Sequence, residues 1–210
     1  MKLGVVGGTF DPIHIGHVAM AEAGADCAGL DRVLLIPASV PPHRTGATAP
    51  AEDRLEMSRL AAAGHPRLEV SDVELRRPGP SYTVDTLIAL AAERPDADLH
   101  LLLGWDAARE IGSWRSPEEV MRLARLVIVS RPGYPAPTER DLRAAGIDPA
   151  RTILCDVPTP DVESTEVRRR LHQPGRSLAG LLDPAVEEYV RHRHLYSPDT
   201  GWDGIRPMRA

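Results

Sequence analysis

Two histidines three residues apart close the stretch Gly7-Gly8-Thr9-Phe10-Asp11-Pro12-Ile13-His14-Ile15-Gly16-His17. On a first helical turn that spacing sets both imidazoles on one side, within reach of one ligand. Imidazole exchanges its proton near neutral pH. Gly7 and Gly8 carry no Cβ, so their amides can come close to an anion, and Thr9 adds a hydroxyl donor. A helix beginning near Gly16 would aim its free amides and the positive end of its dipole at the same point. This collection suits a phosphate chain and charge that builds on it during reaction.

Such a turn has to sit at the end of a strand. Apolar runs at 2–6, 32–36, 99–103, 126–129 and 152–154 read as short buried strands, and helical spacing runs through 18–27, 51–63, 83–92 and 117–123. The alternation predicts an α/β, Rossmann-like doubly wound fold: a mostly parallel sheet with helices on both faces and ligands beyond the carboxyl ends of its strands. A last helix is expected over 184–192, with Asp183 as N-cap and Pro184 in first position. Residues 1–196 read as a single domain and 197–210 as a disordered tail. The Pro-rich stretch 36–50 reads as a mobile loop over the site.

Composition narrows the function. With 42% hydrophobic but only 4% aromatic residues, a core of Leu, Val, Ile and Ala is expected, and a net charge of -5 argues against broad neutralisation of nucleic-acid phosphates. The opening apolar run is too short for a leader or a membrane span, so a cytoplasmic protein is expected. Cys27 and Cys155 form no Cys-x-x-Cys pair and are expected to be reduced core residues. His14, His17 and His43 lack a further ligand at recognisable spacing, so no protein metal site is expected. Neither a Gly-x-x-x-x-Gly-Lys-Ser/Thr loop nor a Gly-x-Gly-x-x-Gly after the first strand occurs, which weighs against phosphate-loop ATPases and NAD-dependent dehydrogenases.

The opening stretch resembles the His-x-Gly-His signature of the nucleotidyltransferase superfamily, and its longer form is similar to the bacterial nicotinate-nucleotide adenylyltransferases. Further similar segments follow in the family's order: Pro41-Pro42-His43-Arg44, Gly79 through Leu87, Gly104 with Asp106, Trp114, Arg131-Pro132-Gly133, and Ser164-Thr165 with Arg168. The resemblance implies adenylyl transfer from ATP to nicotinate mononucleotide, with Mg2+ entering alongside ATP. Its implied partners are these small molecules, with no nucleic acid and no membrane; a homo-oligomer stays open. His14, His17 and Thr9 would be catalytic, binding phosphates and stabilising the transition state. Proton abstraction is not needed from them, because the attacking phosphate is already ionised. The family pattern places ATP against Gly7, Gly8, Phe10, His43, Arg44, Gly104, Asp106, Ser164, Thr165 and Arg168. It places the mononucleotide against Tyr82, Thr83, Trp114 and Arg131.

Each of these segments also has a plainer reading. Ser164 or Thr165 could simply cap a surface helix bearing Arg168, Arg169 and Arg170; Trp114 could be a core residue, Thr83 a helix cap, and His43 with Arg44 solvated loop charge. Two residues depart from the family pattern. Trp105 stands where a small residue is usual and would either narrow the pocket or point outward, and Glu163 would repel phosphates unless it turned away. The functional alternatives are transfer to another acceptor, nicotinamide mononucleotide or phosphopantetheine, or a nucleotide-binding regulator without turnover.

Overall fold

The computed structural model describes residues 1–41, 49–130, 136–173 and 175–197. Expectations for the Pro-rich loop beyond Pro41, for His43, Arg44 and Arg131, and for the tail beyond Ser197 lie outside the described residues. Six parallel strands, β1 (Lys2–Gly8), β2 (Arg32–Pro37), β3 (Leu68–Val70), β4 (Asp98–Gly104), β5 (Arg125–Val129) and β6 (Thr152–Cys155), form one sheet in the order β3-β2-β1-β4-β5-β6. Parallel neighbours need crossovers, and helices supply them: α1 (Ile15–Ala28), α2 (Ala51–Ala62), α3 (Thr83–Glu93), α4 (Trp105–Ala108), α5 (Pro117–Leu123), α6 (Glu139–Ala144), α7 (Ser164–Leu171) and α8 (Pro184–His192).

Alternation along the strands divides the core into two layers. Val6, Val33, Leu35, Leu102, Val127 and Val129 pack toward α1, α2, α7 and α8, whereas Leu3, Val5, Leu34, Leu101, Leu103 and Ile128 pack toward α3, α5 and α6. The sheet is thus covered on both faces, as the strand and helix pattern predicts. β3, α4 and α6 escaped the sequence reading because three to six residues are too few to establish a period.

Asp183 caps α8 through its side chain, which accepts from the Ala185 amide, and Pro184 takes the first position. Tyr189 and Arg193 then both donate to the buried Asp53 of α2, tying the last helix to the second. The cysteines correct the expectation. Cys27, in the last turn of α1, and Cys155, at the end of β6, are joined in a disulfide, and no cysteine is free. Cys155 is buried as expected, but Cys27 is exposed. The expectation of reduced thiols rests on the rarity of disulfides in a reducing setting, whereas the packing of α1 on β6 brings the two Cα atoms to 5.9 Å, within bonding reach. Among the described residues no helix is long and apolar enough to cross a membrane.

Candidate active site

Strand order changes direction at β1, and the site lies there. β1 pairs with β4 as far as Val5↔Leu101, while its pairing with β2 continues to Gly8↔Pro37. The divergence opens a crevice between the ends of β1 and β4. It holds a cavity of about 270 Å³ lined by Gly7, Gly8, Thr9, Tyr82, Thr83, Trp114 and Arg115, with Glu74, Thr86 and Leu103 among its other walls.

At the turn from β1 into α1 the two histidines come together as their spacing predicts. Their rings stack with centroids 3.7 Å apart, and Phe10 meets His17 edge-on at 5.0 Å. His14 is the N-cap of α1, and its amide donates to His17 Nδ1 at 3.3 Å, which orients the second ring. Phe10 is buried, so what it gives the site is support beneath His17. It adopts φ 49°, and its ring occupies the space where a Gly8 side chain would lie. Gly16 is also closely surrounded: a Cβ there would stand 3.1 Å from both His14 Nδ1 and the Pro160 carbonyl oxygen, so one of them would have to give.

The C-terminal helices close the turn from one side. Arg168, largely buried, donates to the Asp11 carbonyl at 2.6 Å and to Thr165 Oγ1 at 3.2 Å. Neither Ser164 nor Thr165 caps α7; Glu163 is its N-cap residue, and Ser164 instead donates its hydroxyl to the Pro12 carbonyl at 3.0 Å. Glu163 itself is exposed, turned to solvent. Arg169 and Arg170 both engage Glu166, whose carboxyl they hold down to about 2, and so remain surface charge.

On the β4 side, Gly104 is the N-cap of α4, and Asp106 folds back over it closely enough that a Cβ on Gly104 would lie 2.5 Å from Oδ1. Trp105 is half-buried on the α3 layer of the core and does not line the cavity. Trp114 does both, packing on that core and facing the cavity. Tyr82 is the N-cap of α3 without a side-chain bond, and Thr83 opens the helix, so the first free amides of α3 stand at the cavity wall.

Three residues of the surroundings escaped sequence reading. Arg54 of α2 is 1% exposed and donates to the carbonyls of Thr9, Ala38, Ser39 and Ala49, binding the ends of β1 and β2 to each other. Burial lowers its pKa, opposed by the nearby Asp11. Nothing in the spacing of α2 sets this arginine apart from surface charge. Glu74 is buried against Thr86, whose hydroxyl donates to it at 2.6 Å, and burial raises its carboxyl pKa despite the bonds from Ser81 and Thr86. Arg115 follows the recognised Trp114 directly, which was signal enough to include it.

The cytidylyltransferase-like family model matches residues 5–170. A probable nicotinate-nucleotide adenylyltransferase of Thermus thermophilus is 44% identical over 196 residues, covering 93% of this chain and all of that protein. Its counterpart in a Synechococcus species is 42% identical over 198 residues, covering 93% and 94%. In fold, the chain is similar to the Plasmodium falciparum nicotinic acid mononucleotide adenylyltransferase complexed with NaAD, with a TM-score of 0.76, 18% identity, and coverage of 93% and 97%. With the histidine turn, the two-sided sheet and these matches together, the chain belongs to the cytidylyltransferase-like family and, within it, groups with the nicotinate-nucleotide adenylyltransferases.

Proposed function

We propose that this protein transfers the adenylyl group of ATP to nicotinate mononucleotide, forming nicotinate adenine dinucleotide and pyrophosphate on the way to NAD. The observation that carries the reading is one continuous cavity running from the Gly7-Gly8-Thr9 turn to Trp114 and Thr83. It offers phosphate donors at one end and a flat aromatic wall with helix amides at the other. The identity to named relatives over nearly the whole chain supports the same substrate.

In this mechanism a 5′-phosphate oxygen of the mononucleotide attacks the α-phosphorus in line. The bond from that phosphorus to the bridging oxygen breaks, and the electrons leave with pyrophosphate. No protein nucleophile is needed, so the chain's contribution is positioning and fixed donors. His14, His17, Thr9 and the amides of Gly7 and Gly8 hold the triphosphate, and Arg168 and the α7 segment close on it. Gly104 and Asp106 bound the nucleoside. Trp114 stacks on the pyridine ring, with Tyr82 and Thr83 beside it. Phe10 acts through His17, while His43, Arg44 and Arg131 are assigned to ATP and mononucleotide by the family pattern.

Among the described residues no group of three His, Cys, Asp or Glu could hold a metal ion. A Mg2+ entering on the triphosphate would be held by phosphate oxygens and water and would neutralise charge on the leaving group. Residues 1–196 act as one catalytic domain. The proposed setting is the cytoplasm, where ATP and charged pyridine nucleotides are retained, with no nucleic-acid or membrane partner.

Purified protein incubated with ATP, magnesium and each candidate acceptor tests the proposal through pyrophosphate release and product mass. Turnover with nicotinate mononucleotide well above that with nicotinamide mononucleotide is expected. Comparable rates would overturn the acid preference, and product only from phosphopantetheine would reject the pyridine substrate. Nucleotide binding without any product would favour the regulator.

A further inference from the structure

The cavity has two polar ends, and only one is explained by phosphate binding. At the far end stands Arg115, among the described cavity residues the one cation. It leaves the turn after Trp114, immediately before Ser116 at φ 49° redirects the chain into α5. Its guanidinium is held from the opposite wall by the first turn of α3. Nη1 lies 3.3 Å from Asp85 Oδ2, and the central carbon sits 4.8 Å from the ring centroid of Tyr82. These two contacts set the pose of a side chain that is 56% exposed at the cavity mouth.

That pose leaves donors to spare. Contact with Tyr82 uses the face of the guanidinium and Asp85 one of its N–H groups, whereas arginine carries five N–H donors in a planar fork suited to a carboxylate. Arg115 lines the same cavity as Trp114 and as Tyr82 and Thr83 at the start of α3. A ring stacked on Trp114, with its sugar phosphate directed toward the triphosphate held at the Gly7-Gly8 turn, has its ring substituent at this end. A mononucleotide anionic at both ends therefore meets donors at both ends.

We propose that Arg115 is a specificity-determining residue, which selects the acid form of the pyridine mononucleotide over its neutral amide form by a charge-assisted bond to the ring carboxylate. The proposal rests on the adenylyl-transfer reading given above and adds the side chain that reads the substrate. Asp85 and Tyr82 act as positioning residues, holding the guanidinium so that little conformational freedom is lost when the acid binds.

The test compares kcat and KM for nicotinate and nicotinamide mononucleotides in the wild type, R115Q and R115K. R115Q is expected to lower the acid-over-amide ratio of kcat/KM by about 10- to 100-fold, mainly through KM for the acid form, as loss of a charged partner does. R115K restores part of the ratio. A ratio unchanged in R115Q, or equal losses for both substrates, overturns the assignment. A wild type that turns over neither pyridine nucleotide sinks the functional reading itself, a separate failure visible before any variant is made. Should R115Q not fold, wild-type NMR decides: nicotinate mononucleotide should shift the Arg115 Nε–H resonance while nicotinamide mononucleotide leaves it nearly in place, and equal shifts overturn the proposal.

Discussion

The Tyr196 hydroxyl donates to Asp11 Oδ1 at 2.8 Å, across 185 residues of sequence. Both groups are buried, Tyr196 at 2% and Asp11 at 4% exposure. The same carboxylate oxygen accepts from the Ala49 amide at 3.0 Å, and Arg168 Nη1 lies 3.9 Å from its neighbour. Burial, then the Asp11 charge, pushes the Tyr196 hydroxyl well above its usual range, so it stays a donor at every pH of interest. Tyr196, which follows α8, thereby fixes the backbone three residues before His14.

Replacing Tyr196 with Phe should therefore cost more than an ordinary hydroxyl. A buried carboxylate loses a donor, which is worth about 1.5–3 kcal/mol for hydrogen bonds to charged groups. A guanidinium melt should show that loss as a lower midpoint with an unchanged slope. An unaltered midpoint would mean that Asp11 is satisfied without the tyrosine.

For His17 the expected effect is on turnover. Its ring is aimed by the His14 amide and backed by Phe10, so H17A removes one preplaced donor while most of the packing stays. A fall in kcat of about 100- to 1000-fold is expected, the scale seen for single transition-state donors. If KM for ATP rises and kcat stays put, the ring only binds the ground state.

The contrast between Tyr196 and His17 shows what could be read from sequence. The histidine pair, the glycines and the strands beneath them were legible because local spacing alone places them. The roles of Tyr196 and Arg54 are not legible there, because their partners lie far away in the chain. The cysteine pairing failed for a different reason: it was judged by redox setting rather than by which elements meet. Glu163 and Trp105 could not be oriented in advance, since one residue's direction at a turn depends on the whole turn.

Glu74 provides a pH signature. Its folded pKa is raised, chiefly by burial, above the value near 4.3 expected for an unfolded glutamate. Below that unfolded value both states are protonated and the site's contribution is fully present. As pH rises, the unfolded chain ionises first, so stability falls until the folded pKa is passed. The stability difference between the wild type and E74Q should therefore shrink or reverse as pH rises through the carboxylate range, measured by denaturant melts at several pH values. A difference that grows with pH would contradict the buried, proton-retaining carboxyl.

The bond between Cys27 and Cys155 closes a loop across 128 residues and ties the helix bearing both histidine contacts to the strand before α7. Constraint of the unfolded chain by so long a loop predicts a loss of about 2–5 kcal/mol on reduction. A thermal melt with and without a dithiol reductant should show the difference, and a C27S/C155S double variant should melt at the reduced temperature whatever the reductant. Wild-type protein indifferent to reduction would show that the crosslink adds nothing to the packing of α1 on β6.

Gly16 separates positioning from stability more cleanly than either. As the second residue of α1 it weakens the helix, so alanine there gains about 1 kcal/mol of helix preference. The new methyl, however, meets His14 Nδ1 and the Pro160 oxygen, each at 3.1 Å, and one of them must give by a few tenths of an ångström. Overpacking of that kind costs about 1–3 kcal/mol, so G16A should melt within about 2 kcal/mol of the wild type. Its turnover should fall further than its stability, because His14 is stacked on His17 at 3.7 Å and cannot shift alone. Misplaced reacting groups are costly: a displacement near 1 Å is worth about 100-fold, and a smaller shift should lower kcat by roughly 10-fold or more. If G16A unfolds, the contact is structural; if it is as active as the wild type, the segment around Pro160 yields and the ring does not move.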